Sequence, residues 1–263
     1  MWPRTIRGEA KQRELKRTKE ARILVDLLRR HVSQDRGPLQ IFEFGAGAAS
    51  QASVMRKLGS VFSSDVYIDP RLRSTTTAPF LLCDVARCPF SEATFDLIFS
   101  NHVIEHLDRP AESLRELQRI GKPECVYALA VPTSVWLVLS IPCQYRDKAL
   151  NLWMRFTRHI SSDSHTSGPL TSAPEDPASP SGLLRKFLPH GHGVYPLFGE
   201  SLMRFRARAW RAMFRAHGFR VIADVPVLCY APAGWPIIPT NRTLARVGLC
   251  SSRLFLLKKG AVR

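Results

Sequence analysis

Between Ile41 and Ser50 the chain reads IFEFGAGAAS, so Glu43 stands two residues before the first of two glycines, Gly45 and Gly47, spaced G-x-G. A backbone bared of side chains lets a ligand approach closely and adopts dihedrals that a Cβ would forbid. A dinucleotide fingerprint would carry a third glycine, and the corresponding position holds Ser50. A carboxylate beside the turn repels phosphate and attracts a cationic amino-acid group. The turn therefore suits a nucleoside ligand that lacks a pyrophosphate. Downstream, SNHVIEH supplies Asn101, His102, Glu105 and His106. Glu105 and His106 are neighbours in a helical pattern and should point in different directions, which argues against an acid–base pair. The segment LPHGHGVYPLFGE gathers His190, His192, Tyr195 and Glu200 between glycines and prolines. Such loop residues suit a general base or substrate contacts. The His-x-His spacing is compatible with a metal, but the sequence offers no evident third ligand and no metal site is expected.

These residues need strands and helices to hold them. LQIFEFG reads as a short buried strand, Ala48 to Leu58 as a helix closed by Gly59, and SVFSSDVYID as containing a second strand. APFLLCD, TFDLIFSN and ECVYALAVP are further strands, and PAESLRELQRIG is an amphipathic helix stopped at Gly121. SLMRFRARAWRAMFRAHG is a helix, FRVIADVPVLCY a strand and SSRLFLLKKG a last strand. Strands alternating with helices imply an α/β domain with a parallel sheet and right-handed crossovers. In such sheets ligands bind at the carboxyl ends of the strands, where the glycine turn lies.

The totals agree. With 263 residues and 45% hydrophobic content the chain can bury a full core. A formal net charge of +16 favours anionic partners without choosing among phosphates, nucleic acid and anionic lipid. Residues 1–36 carry eleven Lys or Arg against five acids, and Leu15, Ile23, Leu24, Leu27 and Leu28 form a helical stripe. This reads as a basic N-terminal helical extension packed on a domain of residues 37–263. The six cysteines contain no C-x-x-C pair, and several sit in apolar runs; buried free thiols in a cytoplasmic setting are expected. The N-terminus lacks a secretory h-region. Cys125 to Tyr145 is uncharged over 21 residues. Pro132 and Pro142 break it, so the expectation is a strand, a turn at PTS and a short apolar segment able to touch a membrane at Val135–Ile141. Ser161 to Gly182, rich in Ser and Pro, reads as a flexible loop inside an insertion at about 133–200.

Four motifs in order resemble the class I methyltransferases that use S-adenosylmethionine: FEFGAGAAS, VFSSD, LLCDVARCPF, and the run from TFDLIFSNHVIEHLD to YALAVP. The resemblance covers about Gln40 to Pro132. It implies a Rossmann-like, doubly wound, mostly parallel seven-stranded sheet with helices on both faces and an antiparallel last strand. It also implies that Glu43, Gly45 and Gly47 line the methionine end of the cofactor. Asp65 would bind the ribose, with Asp69 competing for that role, and Asp84 and Val85 would flank the adenine. Asn101 and His102 would face cofactor or substrate. The turn GKPECV departs from the family's usual K-P-G-G.

The acceptor should be chosen outside this shared core. His190, His192 and His102 are the candidate catalytic residues. A small-molecule, glycan or lipid-linked acceptor, methylated on oxygen or nitrogen, heads the readings. The charge also suits RNA, although no appended RNA-binding module is visible. A non-catalytic binding protein on the same fold is the third reading, opposed by the intact Gly45, Gly47 and Asp84.

Overall fold

The computed structural model describes residues 4–31, 37–70, 72, 79–161, 189–230 and 242–260. Helix α1 (Arg4–His31) precedes strand β1 (Leu39–Phe44), helix α2 (Ala52–Met55), β2 (Gly59–Asp65), β3 (Phe80–Leu82) and β4 (Phe95–Asn101). A 3-10 turn (Ile104–His106) leads to α3 (Pro110–Ile120), β5 (Gly121–Pro132) and α4 (Ser134–Ser161). The hairpin β6 (His190–His192) and β7 (Tyr195–Leu197) follows, then α5 (Phe198–Arg204), α6 (Ala207–Ala216), β8 (Phe219–Leu228), α7 (Arg242–Arg246) and β9 (Ser252–Lys259). The sheet order is β3-β2-β1-β4-β5-β9-β8. Its first five strands are parallel, and β9 enters antiparallel between β5 and β8. This is the Rossmann-like seven-stranded arrangement, with the reversed last strand.

Successive strand residues point to opposite faces, and the core divides accordingly. Ile41, Leu97 and Phe99 pack with Leu24, Leu27 and Leu28 of α1 on one face. Phe42, Phe44, Phe95 and Ile98 pack with Leu114 and Leu117 of α3 and Trp210 and Phe214 of α6 on the other. Phe42, Phe90 and Phe95 meet with ring centroids 4.9–5.3 Å apart, which anchors the loop after β3 beneath the sheet.

Four expected elements differ. The single helix expected from Ser201 to Gly218 is divided into α5 and α6, because Arg206 takes an extended conformation between them. The helix expected over 48–58 is only Ala52–Met55. Gly47 and Ala49 both have positive φ, 55° and 51°, so the chain cannot enter a right-handed helix before Gln51. Strand β2 ends at Asp65 and does not reach Asp69, because β3 offers partners only to Ser63, Ser64 and Asp65. Val66, Tyr67 and Ile68 are left exposed. The turn and short apolar segment expected after Pro132 form the start of the 28-residue α4, which contains Pro142. An interior proline costs a helix about 3 kcal/mol. Burial of Leu137 and Cys143 on one side of that helix works against this cost. Charged residues resume at Arg146, and among the described residues no helix is long and apolar enough to cross a membrane. The Ser- and Pro-rich stretch lies outside the described residues beyond Ser161.

Candidate functional site

The carboxyl ends of β1, β2 and β4 and the loops after them enclose a cavity of about 540 Å³, within the ~300–1,000 Å³ usual for small-molecule sites. Its floor is the glycine turn. Gly45 sits at φ 64°, and a Cβ there would lie 2.3 Å from Val103 Cγ2. Gly47 sits at φ 55°, open except for Arg17 Nη1, 3.1 Å from where a Cβ would be. The Gly47 N–H donates to Asp65 Oδ2 at 2.8 Å, and the Val66 N–H donates to Asp65 Oδ1 at 2.7 Å. One carboxylate thus ties the first strand's turn to the end of the second and still turns spare lone pairs toward the cavity.

Asp84 and Val85 form another wall. Asp84 Oδ1 accepts from the Ala86 N–H at 2.9 Å, and Oδ2 pairs with Arg109 at 2.6 Å. Arg119 fixes the chain just beyond, donating to the Phe90 carbonyl at 2.8 Å while pairing with Glu116. Cys83, beside Asp84, is a half-buried thiol on the cavity wall. The hydrogen bond from Cys88 draws its pKa down to about 7.

His102 also lines the cavity, at φ 56° just after β4. Its Nε2 lies 2.9 Å from Tyr230 Oη and 3.2 Å from Ser252 Oγ. Burial favours loss of its proton, but Glu105 (3.5 Å from Nδ1) and Glu20 (3.9 Å from Nε2) outweigh this and raise its pKa to about 9. A histidine held as imidazolium at pH 7 is a cation in the wall, poorly suited as a resting base. His192, by contrast, has its pKa lowered to about 4 by burial and is neutral.

Of the residues expected from the sequence, Gly45, Gly47, Asp65, Asp84, Val85 and His102 are brought to this cavity. Glu43 and Asn101 are not among its lining residues. Strand alternation turns the Glu43 side chain away, where it accepts a 2.7 Å hydrogen bond from Ser63. Asn101 donates to Glu20 at 2.8 Å beneath α1. Asp69 is buried outside the cavity. His190 and His192 line a neighbouring cavity of about 310 Å³ with Trp136, Ser140, Gln144 and Lys148. His190 is exposed and held by its backbone, its N–H donating to Gln144 Oε1 at 2.9 Å.

Two site residues come from an unexpected place, the basic N-terminal helix. Arg17 reaches the glycine turn and Glu20 meets Asn101 and His102. Both continue the stripe of Leu24, Leu27 and Leu28 at helical spacing, so their place on the buried face was visible in principle. Arg109 and Cys83 carried no such signal.

Residues 42–129 match the family model described as "Methyltransferase domain". Over these residues, about a third of its length, the chain is similar to that family. No curated protein matches the chain. Among solved structures, this chain resembles a chain of the Haloferax volcanii complex that contains the Trm112 methyltransferase activator. The two are 16% identical, with 96% of each chain covered and a TM-score of 0.55. The Burkholderia thailandensis 1,6-didemethyltoxoflavin-N1-methyltransferase, solved with its substrate and S-adenosylhomocysteine, is 13% identical. It covers 97% of this chain and 85% of its own, with a TM-score of 0.53. An Aquifex aeolicus SAM-dependent methyltransferase is 14% identical over 95% of this chain and 98% of its own, with a TM-score of 0.50. At such identities these likenesses speak for the fold alone.

Proposed function

We propose that the protein transfers the methyl group of S-adenosylmethionine to an oxygen or nitrogen of an acceptor bound beside the β6–β7 hairpin. The observation that carries this reading is the cavity at the strand ends, floored by two positive-φ glycines and walled by Asp65 and Asp84. A Cβ at Gly47 would intrude on that floor, and the spare acceptor positions of Asp65 suit a pair of ribose hydroxyls. Asp84 and Val85 would hold the adenine. Arg17 supplies a cation for the amino-acid carboxylate, and Glu43 acts on the opposite charge from behind the turn. When bound, the cofactor supplies an already activated methyl sulfonium. The chain's own residues have then chiefly to align donor and acceptor.

The neighbouring cavity, with Lys148, Asp147, Ser140 and Gln144 on its wall, is suited to a small polar acceptor. On α4, Leu150, Leu152 and Trp153 are exposed, which supports a lipid-linked acceptor presented at an anionic membrane surface. The test is calorimetric titration with S-adenosylmethionine and S-adenosylhomocysteine, followed by transfer of labelled methyl to water-soluble anionic, glycolipid and RNA acceptors. Micromolar cofactor binding and label in the glycolipid fraction are expected. No binding by folded protein would overturn the transferase reading, and label only in RNA would overturn the acceptor assignment.

Cys83 provides an independent check. All six cysteines are free, and the other five are buried. Iodoacetamide is therefore expected to modify Cys83 first, since the thiolate is the reactive form. Saturating S-adenosylhomocysteine should slow that modification at least tenfold, as followed by peptide mass spectrometry. An unchanged rate would place the ligand elsewhere.

A further inference from the structure

Where the two cavities meet, three side chains from two distant parts of the sequence converge. Glu105, His106 and His192 each offer one ligand atom, and these atoms lie within 4.8 Å of one another. The buried carboxylate is the informative member. Glu105 is fully buried, and neither of its oxygens makes a hydrogen bond among the described residues. Its Oε1 lies 3.5 Å from His102 Nδ1 and 3.9 Å from His106 Nε2. A buried carboxylate is costly unless it is paired and hydrogen-bonded or coordinates a metal. The imidazole of His102 engages only one of the two oxygens.

The convergence is built into the backbone. The Val194 N–H donates to the Glu105 carbonyl at 3.0 Å, which fastens the β6–β7 hairpin to the 3-10 turn. Gly193 makes this close approach possible. It sits at φ 65°, and a Cβ there would lie 2.1 Å from the Glu105 carbonyl oxygen. Within the hairpin the His192 N–H donates to Ser201 Oγ at 3.0 Å. Trp136 packs edge-on against the His192 ring at 4.5 Å, and the His106 ring meets it at 4.8 Å and 75°. The two imidazoles and the carboxylate are thus held at the junction, His106 half exposed on the cofactor cavity and His192 on its neighbour.

We propose that Glu105, His106 and His192 form a binding site for one divalent transition-metal ion. Two imidazoles and one carboxylate are borderline donors of the kind that take Zn²⁺, Co²⁺ or Fe²⁺, whereas all-oxygen sets take Mg²⁺ and Ca²⁺. Bonds of about 2.0–2.2 Å to one ion require the donors to draw closer than they now stand. The exposed His106 ring can supply that movement by rotating. Three protein ligands leave open positions toward the cavities, as in metal sites that bind a substrate oxygen. That the ion holds and acidifies the acceptor's hydroxyl rests on the transferase reading above; occupancy by the metal does not.

The test uses the full chain, without an affinity tag, stripped with a chelator and titrated with Co²⁺. Visible absorption reports coordination, and Zn²⁺ competition reports affinity. One Co²⁺ per chain is expected, with d–d bands characteristic of a site of low coordination number and displacement by one Zn²⁺. His192→Ala, His106→Ala and Glu105→Gln should each weaken binding at least tenfold, and His190→Ala on the same hairpin should leave it unchanged. Circular dichroism guards against unfolding of the Glu105 variant; the exposed His106 variant carries the same information without that risk. Absence of stoichiometric Co²⁺, or binding by His106→Ala or His192→Ala as tight as the parent's, overturns the proposal. Calorimetry with S-adenosylhomocysteine on the same samples separates the two readings: bound nucleoside without Co²⁺ sinks the metal site alone, and Co²⁺ without nucleoside sinks the transferase reading alone.

Discussion

Gly47→Arg is expected to abolish S-adenosylhomocysteine binding in a chain that still folds. The left-handed backbone at Gly47 costs a non-glycine residue about 1–2 kcal/mol. The N–H that holds Asp65 survives the change, and a Cβ meets only the mobile tip of Arg17. The new side chain must then run into the cavity, where it fills the floor and opposes the Arg17 charge. Gly45→Ala makes the useful contrast. There a Cβ would collide with the Val103 side chain, so the loss should appear as lowered thermal stability. Asp65→Ala is the second half of the same experiment. On the proposed ribose assignment it removes two charge-assisted bonds to the nucleoside, each worth about 1.5–3 kcal/mol, and it leaves the Gly47 and Val66 N–H groups without their acceptor. A fall in affinity of at least about 100-fold is expected by calorimetry. Asp69→Ala should bind nearly as the parent does. Weak binding by Asp69→Ala with normal binding by Asp65→Ala would reverse the ribose assignment and leave the fold untouched.

The sequence placed the sheet well because its strands are short apolar runs closed by polar or glycine turns, and such runs have few ways to be buried. LQIFEF and FDLIFSN needed only strand alternation to assign their two faces. What failed were local continuations. AASQASVM has helical composition, but the left-handed Ala49 delays the helix. VYI has strand composition, but no neighbouring strand reaches it, and a strand without a ladder partner leaves its backbone groups to water. The run after Pro132 was divided at its second proline, although packing against the hairpin and α5 sustains one long helix there.

The cavity was legible to the extent that its residues follow strands. Gly45, Gly47, Asp65, Asp84 and His102 all sit within three positions beyond a strand or at its last residue, where the topology forces them together. Arg17 and Glu20 arrive from outside that pattern, and the Glu105–His106–His192 convergence depends on a hairpin folding back over the chain. No spacing rule connects residues so far apart. Along an α-helix Glu105 and His106 would point in different directions. The segment is instead a single 3-10 turn, and a third element supplies the surface on which both side chains meet.

Glu43 gives the prediction that separates its two readings, ligand contact and buried support. Its carboxyl is fully buried, and burial raises its pKa to about 7, against the opposing pull of Ser63 and Arg17 and with a further push from Asp65. In the unfolded chain the same group titrates near 4.3. Between those values the native state binds more protons than the unfolded one, so stability must fall as pH rises from about 4.5 to about 7. Below that window the group costs nothing extra. Above it the whole penalty is present, on the order of 3 kcal/mol at 1.36 kcal/mol per pKa unit. Glu43→Gln keeps an amide oxygen for the Ser63 hydroxyl, now 2.7 Å from the carboxylate, and removes the titration. Urea denaturation of both proteins from pH 4 to pH 8 should show an additional fall between about pH 4.5 and pH 7 in the parent relative to the variant, with the variant the more stable above pH 7. Parallel curves would mean that Glu43 ionises without penalty. A bound nucleoside adds a cation on the far side of the turn, which favours the charged carboxylate. Nucleoside binding near pH 6.5 is therefore expected to release protons from the parent and fewer from Glu43→Gln, measured as the dependence of the calorimetric enthalpy on the buffer's ionisation heat. Proton release equal in the two proteins would make Glu43 a structural support with no hold on the ligand.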